Sequence, residues 1–371
     1  MIMKRVFAFF VSLFVSCGAY AADYRAVLVA DIDSGRVLYQ ENANQLNYPA
    51  SLTKIMTLYL TFDALEHGRL HLDDYLIVSK SAAEAQPVKL GLTAGSKIKV
   101  EDAIKAVAVH SANDVARVLA ENLKGGKEGN FATLMTRVAN EIGLQNTNFE
   151  NSSGLPNDDH MSTARDIALL SMAVYKHFPQ YWKYFGIKNW TYNGKTYTNG
   201  NRLLGTYPGC DGMKTGFTNK SKYSLVVTAN RDGYHLIAVV LGAENKDIRA
   251  NVAAKMLNIG FNKIGIKTSG NSYAEPTHKV APTQSNPVAK YATNVPVYND
   301  GTVGVQCGAF SAYSSAKNQA AKVQTVTGYT PDIEQNDSGL YRVRINGLTE
   351  SMAQNIKNMA GANGIDCYVF H

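Results

Sequence analysis

The sequence predicts an α+β protein in two parts. One is a large segment whose first and last strands pair in one sheet around a helical middle; the other is a small βαββαβ module. Three observations predict it. Apolar, β-branched runs bounded by turn residues lie at both ends of residues 22–265, helical periodicity fills the stretch between them, and strand-like and helical runs alternate after residue 302. Between the parts, Pro276, Pro282, Pro287 and Pro296 fall among Ser, Thr, Asn, Ala and Lys without sustained period, so residues 266–301 read as a flexible linker. With 371 residues, 45% of them hydrophobic and 18% charged, the chain can bury a large core and has the composition of neither a coiled coil nor a disordered tail. Its formal charge of +7 is spread along the sequence without basic blocks, which argues against nucleic acid or a membrane surface as the main partner.

The chain opens with Lys4 and Arg5, an apolar run from Val6 to Cys17 and the small-residue site Ala19-Tyr20-Ala21, the pattern of a secretory signal peptide over residues 1–21. The run is too short to span a bilayer. A lipoprotein signal with Cys17 as the lipidated residue is the competing reading, disfavoured by Phe14 three positions before the cysteine. Cleavage leaves Cys210, Cys307 and Cys367 in a protein expected to cross the inner membrane into an oxidising, periplasmic space.

A hairpin is predicted from Arg25–Asp31 and Arg36–Gln40, with Asp33-Ser34-Gly35 supplying the turn. A second is predicted from Tyr223–Thr228 and His235–Leu241 around Asn230-Arg231-Asp232-Gly233, and a third within Trp190–Asn199 around Asn193-Gly194. Ser51–Glu66 is apolar on nearly every side, as a helix through the middle of a domain would be. Further helices are expected at Val100–Val109, Asn113–Leu123, Asn130–Ile142 and Ala164–Tyr175.

Three short patterns occur in order: Ser51-Leu52-Thr53-Lys54, Ser111-Ala112-Asn113 and Lys214-Thr215-Gly216. Each alone is weak, since Ser314-Ser315-Ala316-Lys317 and Ser269-Gly270-Asn271 fit the first two as well; context separates them. Ser51 and Lys54 stand three apart at the start of a buried helix, so both side chains share one face. A serine hydroxyl is a poor nucleophile until a base takes its proton, and an amine can act only when neutral. Burial and a second cation, Lys214, would lower the pKa of Lys54 and make it that base. Ser111 and Asn113 fall where one helix ends and the next begins, placed to relay a proton and to hydrogen-bond a substrate amide. Lys214 and Thr215 would attract a carboxylate, and Gly216 would let a peptide approach the strand edge. His67 and His71 stand four apart without an evident third ligand, so no metal and no cofactor is expected.

These motifs, with Tyr48-Pro49-Ala50-Ser51-Leu52-Thr53-Lys54-Ile55-Met56, Asn151-Ser152-Ser153-Gly154-Leu155, Ser162-Thr163-Ala164-Arg165-Asp166 and Asp211-Gly212-Met213-Lys214-Thr215-Gly216, make the segment from about Asp23 to Lys263 resemble the D-alanyl-D-alanine carboxypeptidases. These are the low-molecular-mass penicillin-binding proteins. The resemblance implies a β-lactamase/DD-peptidase-like fold, Ser51 as acylated nucleophile, Lys54 as base, and Ser111 with Asn113 as second wall. It implies an oxyanion hole from the backbone N–H groups of Ser51 and Phe217, a part for Arg249 in binding the terminal carboxylate, and covalent inhibition by β-lactam antibiotics. Ala112 stands where class A β-lactamases have Asp, and no E-x-x-L-N follows Asn113, so a peptidase is expected rather than a β-lactamase.

After the linker, strands are expected at Thr302–Phe310, Thr330–Gln335, Leu340–Asn346 and Ile365–Phe370, with helices at Ser311–Val326 and Thr349–Ala360. That order is a ferredoxin-like sandwich with the first strand beside the last. Cys307 and Cys367 would then lie on neighbouring strands, and a disulfide between them is expected in so thin a core, two buried thiols being the alternative. Period-2 alternation leaves Gly304, Gln306 and Gly308 with Leu340, Arg342 and Arg344 on the open face. The module resembles the SPOR domain through Val305-Gln306-Cys307-Gly308-Ala309-Phe310-Ser311 and Gly339-Leu340-Tyr341-Arg342-Val343-Arg344. That resemblance implies binding of glycan strands stripped of their stem peptides at the division septum, with Gln306 and Arg342 at positions that meet sugar. The expected function is a serine-type D-Ala-D-Ala carboxypeptidase acting on peptidoglycan stem peptides. An endopeptidase or transpeptidase of the same fold, or a non-catalytic wall-binding scaffold, is the alternative.

Overall fold

A computed structural model describes residues 23–268 and 303–370, apart from 328, 330, 337 and 349. The expected signal peptide, Cys17 included, and residues 269–301 of the expected linker lie outside the described residues. In chain order the first unit comprises β1 (Ala26–Asp31), β2 (Val37–Glu41), α1 (Lys54–Glu66), β3 (Tyr75–Ile77), α2 (Lys80–Ala83), β4 (Lys97–Lys99), α3 (Val100–Lys105), α4 (Asn113–Leu123), α5 (Glu128–Glu141) and α6 (Ala164–His177). It continues with β5 (Asn189–Tyr192), β6 (Lys195–Thr198), β7 (Cys210–Thr218), β8 (Lys222–Arg231), β9 (Tyr234–Ala243) and α7 (Lys246–Lys263).

The predicted hairpins form, and the two from the ends of the segment join one antiparallel sheet in the order β2-β1-β9-β8-β7. β1 is buried at every position because it lies inside this sheet with apolar layers on both faces. Its alternate residues divide between two cores: Ala26, Leu28 and Ala30 join the helical cluster around Leu58, Phe62 and Leu119, whereas Val27 and Val29 join Met256, Leu257 and Phe261 on α7. α7 comes close to the sheet at Gly260, where a Cβ would stand 2.8 Å from Val29 Cγ1 and 2.9 Å from Leu236 Cδ1. β7 pairs only with β8 among the described strands, so its other edge is open along Lys214–Phe217.

Two expected helices depart from a regular path, both at motif residues. The stretch expected as a helix from Ser51 begins as a 3-10 turn over Ala50–Thr53, with Ala50 in the left-handed region at φ 48°, and only then becomes α1. The stretch expected as a helix over Val100–Val109 is α only to Lys105; Ala106–His110 widens into a π turn that ends on Ser111 at φ 64°. Widened turns of this kind re-aim the residues that follow them. The sheet of β3 and β4, the short α2, the 3-10 stretch Pro179–Gly186 and the long α7 were not expected from the sequence.

The C-terminal module consists of β10 (Val303–Phe310), α8 (Tyr313–Thr327), β11 (Asp332–Gln335), β12 (Tyr341–Leu348), α9 (Glu350–Ala362) and β13 (Tyr368–Phe370). Its order, β11-β12-β10-β13, puts the first strand beside the last as expected, and the Cys307–Cys367 disulfide joins them across a sequence separation of 60. Both cysteines belong to a core with Val305, Val323, Val343 and Ile356. Cys210 is free. The expected alternation fails at Gly308: an irregularity between Gln306 and Ala309 sets Gln306 opposite Arg344 and Ala309 opposite Arg342, so Gly308 leaves the face that Gln306 shares with Arg344.

Candidate active site

Lys54 is fully buried, and its amine has three oxygen neighbours: Ser153 O at 2.6 Å, Asn113 Oδ1 at 2.7 Å and Ser51 Oγ at 3.1 Å. Burial, and after it the charge of Lys214, holds that amine well below the usual lysine range, with Glu128 opposing. A neutral amine has two N–H groups and one lone pair. Ser153 O is a carbonyl and Asn113 Oδ1 is fixed as one, because the other end of that amide donates to Gln86 O at 2.7 Å. When the amine is neutral, the two carbonyls take both N–H groups, and the lone pair is left facing the Ser51 hydroxyl. The arrangement can therefore remove the Ser51 proton.

Opposite stands a second buried lysine. Lys214 is 1% exposed, donates to Ser111 Oγ at 2.9 Å and to Thr215 O at 3.0 Å, and is lowered to about 7 by burial and then by Arg249. The π turn and the left-handed Ser111 deliver that hydroxyl to β7. Arg249, the first-turn residue of α7, is 6% exposed; it donates to Gly200 O at 3.1 Å, and its Nε is buried without a hydrogen-bond partner. The ordered motifs predicted from the sequence thus converge: Ser51, Lys54 and Asn113 form one connected group, Ser111 and Lys214 the facing one, and Thr215, Gly216 and Phe217 continue along the open edge of β7. Phe217 is 47% exposed and packs beside Tyr223 at 4.3 Å between ring centroids.

Two residues have a part beyond the one expected for them. Asn113 is expected to meet a substrate amide; its side chain is buried, accepts from Lys54 and donates one N–H to Gln86 O, so it also holds the Lys54 amine in place. Gly216 is expected to make room for a peptide. Its missing side chain makes room for the nucleophile's own turn, because a Cβ there would stand 3.2 Å from Pro49 O and 3.4 Å from Ala50 Cβ and Leu52 Cγ. On the other side Gly154, at φ 81°, packs so closely that a Cβ would lie 1.8 Å from Ala50 O. Two glycines thus clamp a turn that places a non-glycine residue, Ala50, in the left-handed region beside Ser51.

Several supporting residues were matched in the sequence without a role, or missed. Asn151 Oδ1 accepts from the backbone N–H groups of Gly154 at 2.7 Å, Leu155 at 3.0 Å and Ser153 at 3.2 Å, folding the segment that offers Ser153 O to Lys54. His160, missed by sequence reasoning, is buried with Nε2 2.8 Å from Thr53 Oγ1 and Nδ1 accepting from the Glu150 N–H at 3.3 Å. Burial, then the Lys54 charge, pushes it down to about 4, so it stays neutral while it holds Thr53. A lone histidine carries no spacing signal; only the fold brings it to the turn. His67 and His71 are engaged with Asp63 and Asp74 respectively.

A family model described as D-alanyl-D-alanine carboxypeptidase, Peptidase_S11, matches residues 16–245, more than half of the chain. The chain belongs to this family. A second model, the SPOR domain, matches residues 299–370. Over 250 residues the chain is 39% identical to the D-alanyl-D-alanine carboxypeptidase DacC of Escherichia coli, covering 66% of this chain and 62% of that protein. Over 248 residues it is 34% identical to DacF of Bacillus subtilis, covering 66% and 63%. The chain therefore spans less than two thirds of the length of these relatives. Among solved structures, penicillin-binding protein 5 of Haemophilus influenzae aligns with a TM-score of 0.63 at 33% identity over 65% of this chain and 71% of that one. Penicillin-binding protein D2 of Listeria monocytogenes, in an ampicillin-bound form, aligns with a TM-score of 0.60 at 31% identity over 64% and 98%. The S11 protein fold and the expected family are thus both present.

Proposed function

We propose that the protein is a serine-type D-Ala-D-Ala carboxypeptidase that shortens peptidoglycan stem pentapeptides. The observation that carries this reading is the buried amine of Lys54, held by Ser153 O and Asn113 Oδ1 with Ser51 Oγ 3.1 Å away and pushed by burial toward its neutral form. Ser51 Oγ attacks the carbonyl carbon of the penultimate D-alanine while its proton passes to Lys54. The N–H groups of Ser51 and Phe217 take the developing oxyanion. The C–N bond then breaks, and the departing D-alanine amine takes a proton through Ser111 and Lys214. Water hydrolyses the ester, restoring Ser51 and releasing the shortened peptide. Lys214, Thr215 and Arg249 gather positive charge and a hydroxyl where the terminal carboxylate would lie, and the unpartnered Nε of Arg249 supports that assignment. β-Lactam antibiotics would acylate Ser51 by the same attack.

The signal-peptide pattern supports export to the periplasm, and the SPOR match supports retention on denuded glycan strands at the division septum. Of the expected sugar contacts, Gln306 does not lie on an open face: it is 5% exposed and accepts from Arg344 Nε at 2.8 Å, while Arg344 lies over the Phe370 ring at 4.5 Å; Arg342, on the same strand, is the more exposed of the two expected contacts. A linker between catalytic and wall-binding units raises the local concentration of substrate.

Digestion of purified wall tests the activity. Release of D-alanine with conversion of pentapeptides to tetrapeptides is expected. Cleavage of cross-linked dimers while pentapeptides persist would assign an endopeptidase, new cross-links a transpeptidase, and no change a scaffold.

A further inference from the structure

One acidic side chain of the first unit is built into the surroundings of the base, although it touches neither Ser51 nor the facing lysine. Glu128, the first residue of α5, is 16% exposed, and both oxygens of its carboxylate are engaged. Oε1 accepts from the Ser152 N–H at 3.0 Å and from Ser152 Oγ at 2.6 Å, and Oε2 accepts from Arg117 Nε at 2.6 Å. Ser152 and Ser153 are buried, and Thr57 Oγ1, three residues beyond Lys54 on α1, donates to Ser152 O at 2.6 Å. The next carbonyl along the chain, Ser153 O, is the one 2.6 Å from Lys54 Nζ. Glu128 therefore grips the residue adjoining the base's closest oxygen neighbour.

The reaction makes a demand that these hydrogen bonds alone leave unmet. When the Ser51 proton passes to Lys54, a buried ammonium forms among Ser51 Oγ, Asn113 Oδ1 and Ser153 O. Once Ser51 is acylated, the ester, the amide and the peptide carbonyl carry no balancing charge, and a buried charge without one is costly. The titratable groups that face the amine come from three directions. Lys214 on β7 opposes an ammonium there, buried His160 is held neutral down to about 4, and Glu128 on α5 favours the ammonium. Arg117 on α4 partly offsets Glu128 and is itself held by Ser81 O on α2, to which its Nη1 donates at 3.1 Å.

We propose that Glu128 is the positioning residue of the base: it fixes Ser153 O against Lys54 and supplies the negative charge that balances the ammonium formed as Ser51 is acylated. Arg117 sets how much of that charge the amine feels. The proton moves from Ser51 Oγ to Lys54 Nζ, and Glu128 takes none. Its part matches that of the carboxylate in a serine triad, which orients the base and stabilises its charged form. This inference deepens the reading above and rests on Lys54 as the base.

The test follows acylation of the full chain by benzylpenicillin along the acid limb of its pH profile. Only the neutral amine acts as base, so the rate rises with pH as Lys54 loses its proton. Removing a negative charge near an ammonium lowers its pKa, and removing a positive one raises it. Glu128→Gln keeps an oxygen that can accept from Ser152. It should move the limb to lower pH and lower the plateau, because a less basic amine is a weaker acceptor. Arg117→Gln should move the limb to higher pH. Glu128→Ala, which also releases Ser152, should lower the plateau by about tenfold or more beyond Glu128→Gln, the size of a lost hydrogen bond to a charged group. The two Gln variants decide the matter if Glu128→Ala does not fold. A merely structural tie would leave the limb of Glu128→Gln where it is in wild type. That result, or limbs that move the same way in both Gln variants, would overturn the proposal. A folded wild type that takes up no benzylpenicillin would instead overturn Ser51 and Lys54 as nucleophile and base, and the part of Glu128 with them.

Discussion

The two units solve opposite problems of scale. The S11 unit has apolar layers on both faces of its sheet, enough to keep Lys54 and Lys214 away from water, and it surrounds each amine with oxygen atoms from distant parts of the chain. The C-terminal module has one small core, a covalent tie between its first and last strands, and half-buried polar groups such as Arg342 and Arg344 on its sheet. A large core can perturb an ionisable group strongly enough to make a base of it, whereas the thin one buries no lysine among its described residues. Chemistry should therefore depend on the interior of the first unit, whereas the second should tolerate any change that spares its staple and its surface.

The sharpest break in that comparison is Ser51→Ala, expected to lower D-alanine release by about 10⁴-fold or more, as loss of the nucleophile does in serine hydrolases, while leaving the thermal transitions of both units in place. The reciprocal change is Cys307→Ser with Cys367→Ser. Opening a loop of that length should destabilise the C-terminal module by up to about 4 kcal/mol in a denaturant titration, with D-alanine release from soluble peptides unchanged. A parallel loss of activity would show that the units are not energetically separate.

Acid should distinguish the units as well. His160 holds its neutral form down to about 4 in the folded protein against an ordinary value of 6.5, so between those limits the unfolded chain binds a proton that the folded one refuses. Stability from this group is complete above pH 6.5 and falls as pH drops toward 4, by up to about 3 kcal/mol. Comparing His160→Gln with wild type across that window should show a shallower acid loss for the variant, confined to the first unit's transition. An identical pH dependence would contradict the neutral histidine.

Much of this organisation was legible in the sequence, and the gaps have physical causes. Hairpins announced themselves through Asp33-Ser34-Gly35 and Asn193-Gly194, because turn chemistry is local. The motifs pointed to Ser51 and Lys54 because the two are neighbours on one turn. Helix α7 was missed: polar Asn251, Asn258 and Asn262 fall among its buried Val252, Met256, Leu257, Ile259 and Phe261, so no clean apolar stripe stands out. The π turn before Ser111 leaves no pattern, since it has the same apolar sequence as a regular helix. Nor could the sequence show that Asn113 serves Lys54, that Gly216 serves the nucleophile's turn, or that His160 holds Thr53, because each role is a contact across many residues.

The central claim is that Lys54 carries no proton when Ser51 reacts. Its side chain can be watched directly by the 13Cε and 15Nζ chemical shifts of labelled protein, assigned by difference from Lys54→Arg and followed from pH 6 to 11. The account predicts that Lys54 has reached its neutral-amine shifts well before the ordinary lysines begin to titrate near 10.5. An ammonium that persists until it titrates with them would contradict it.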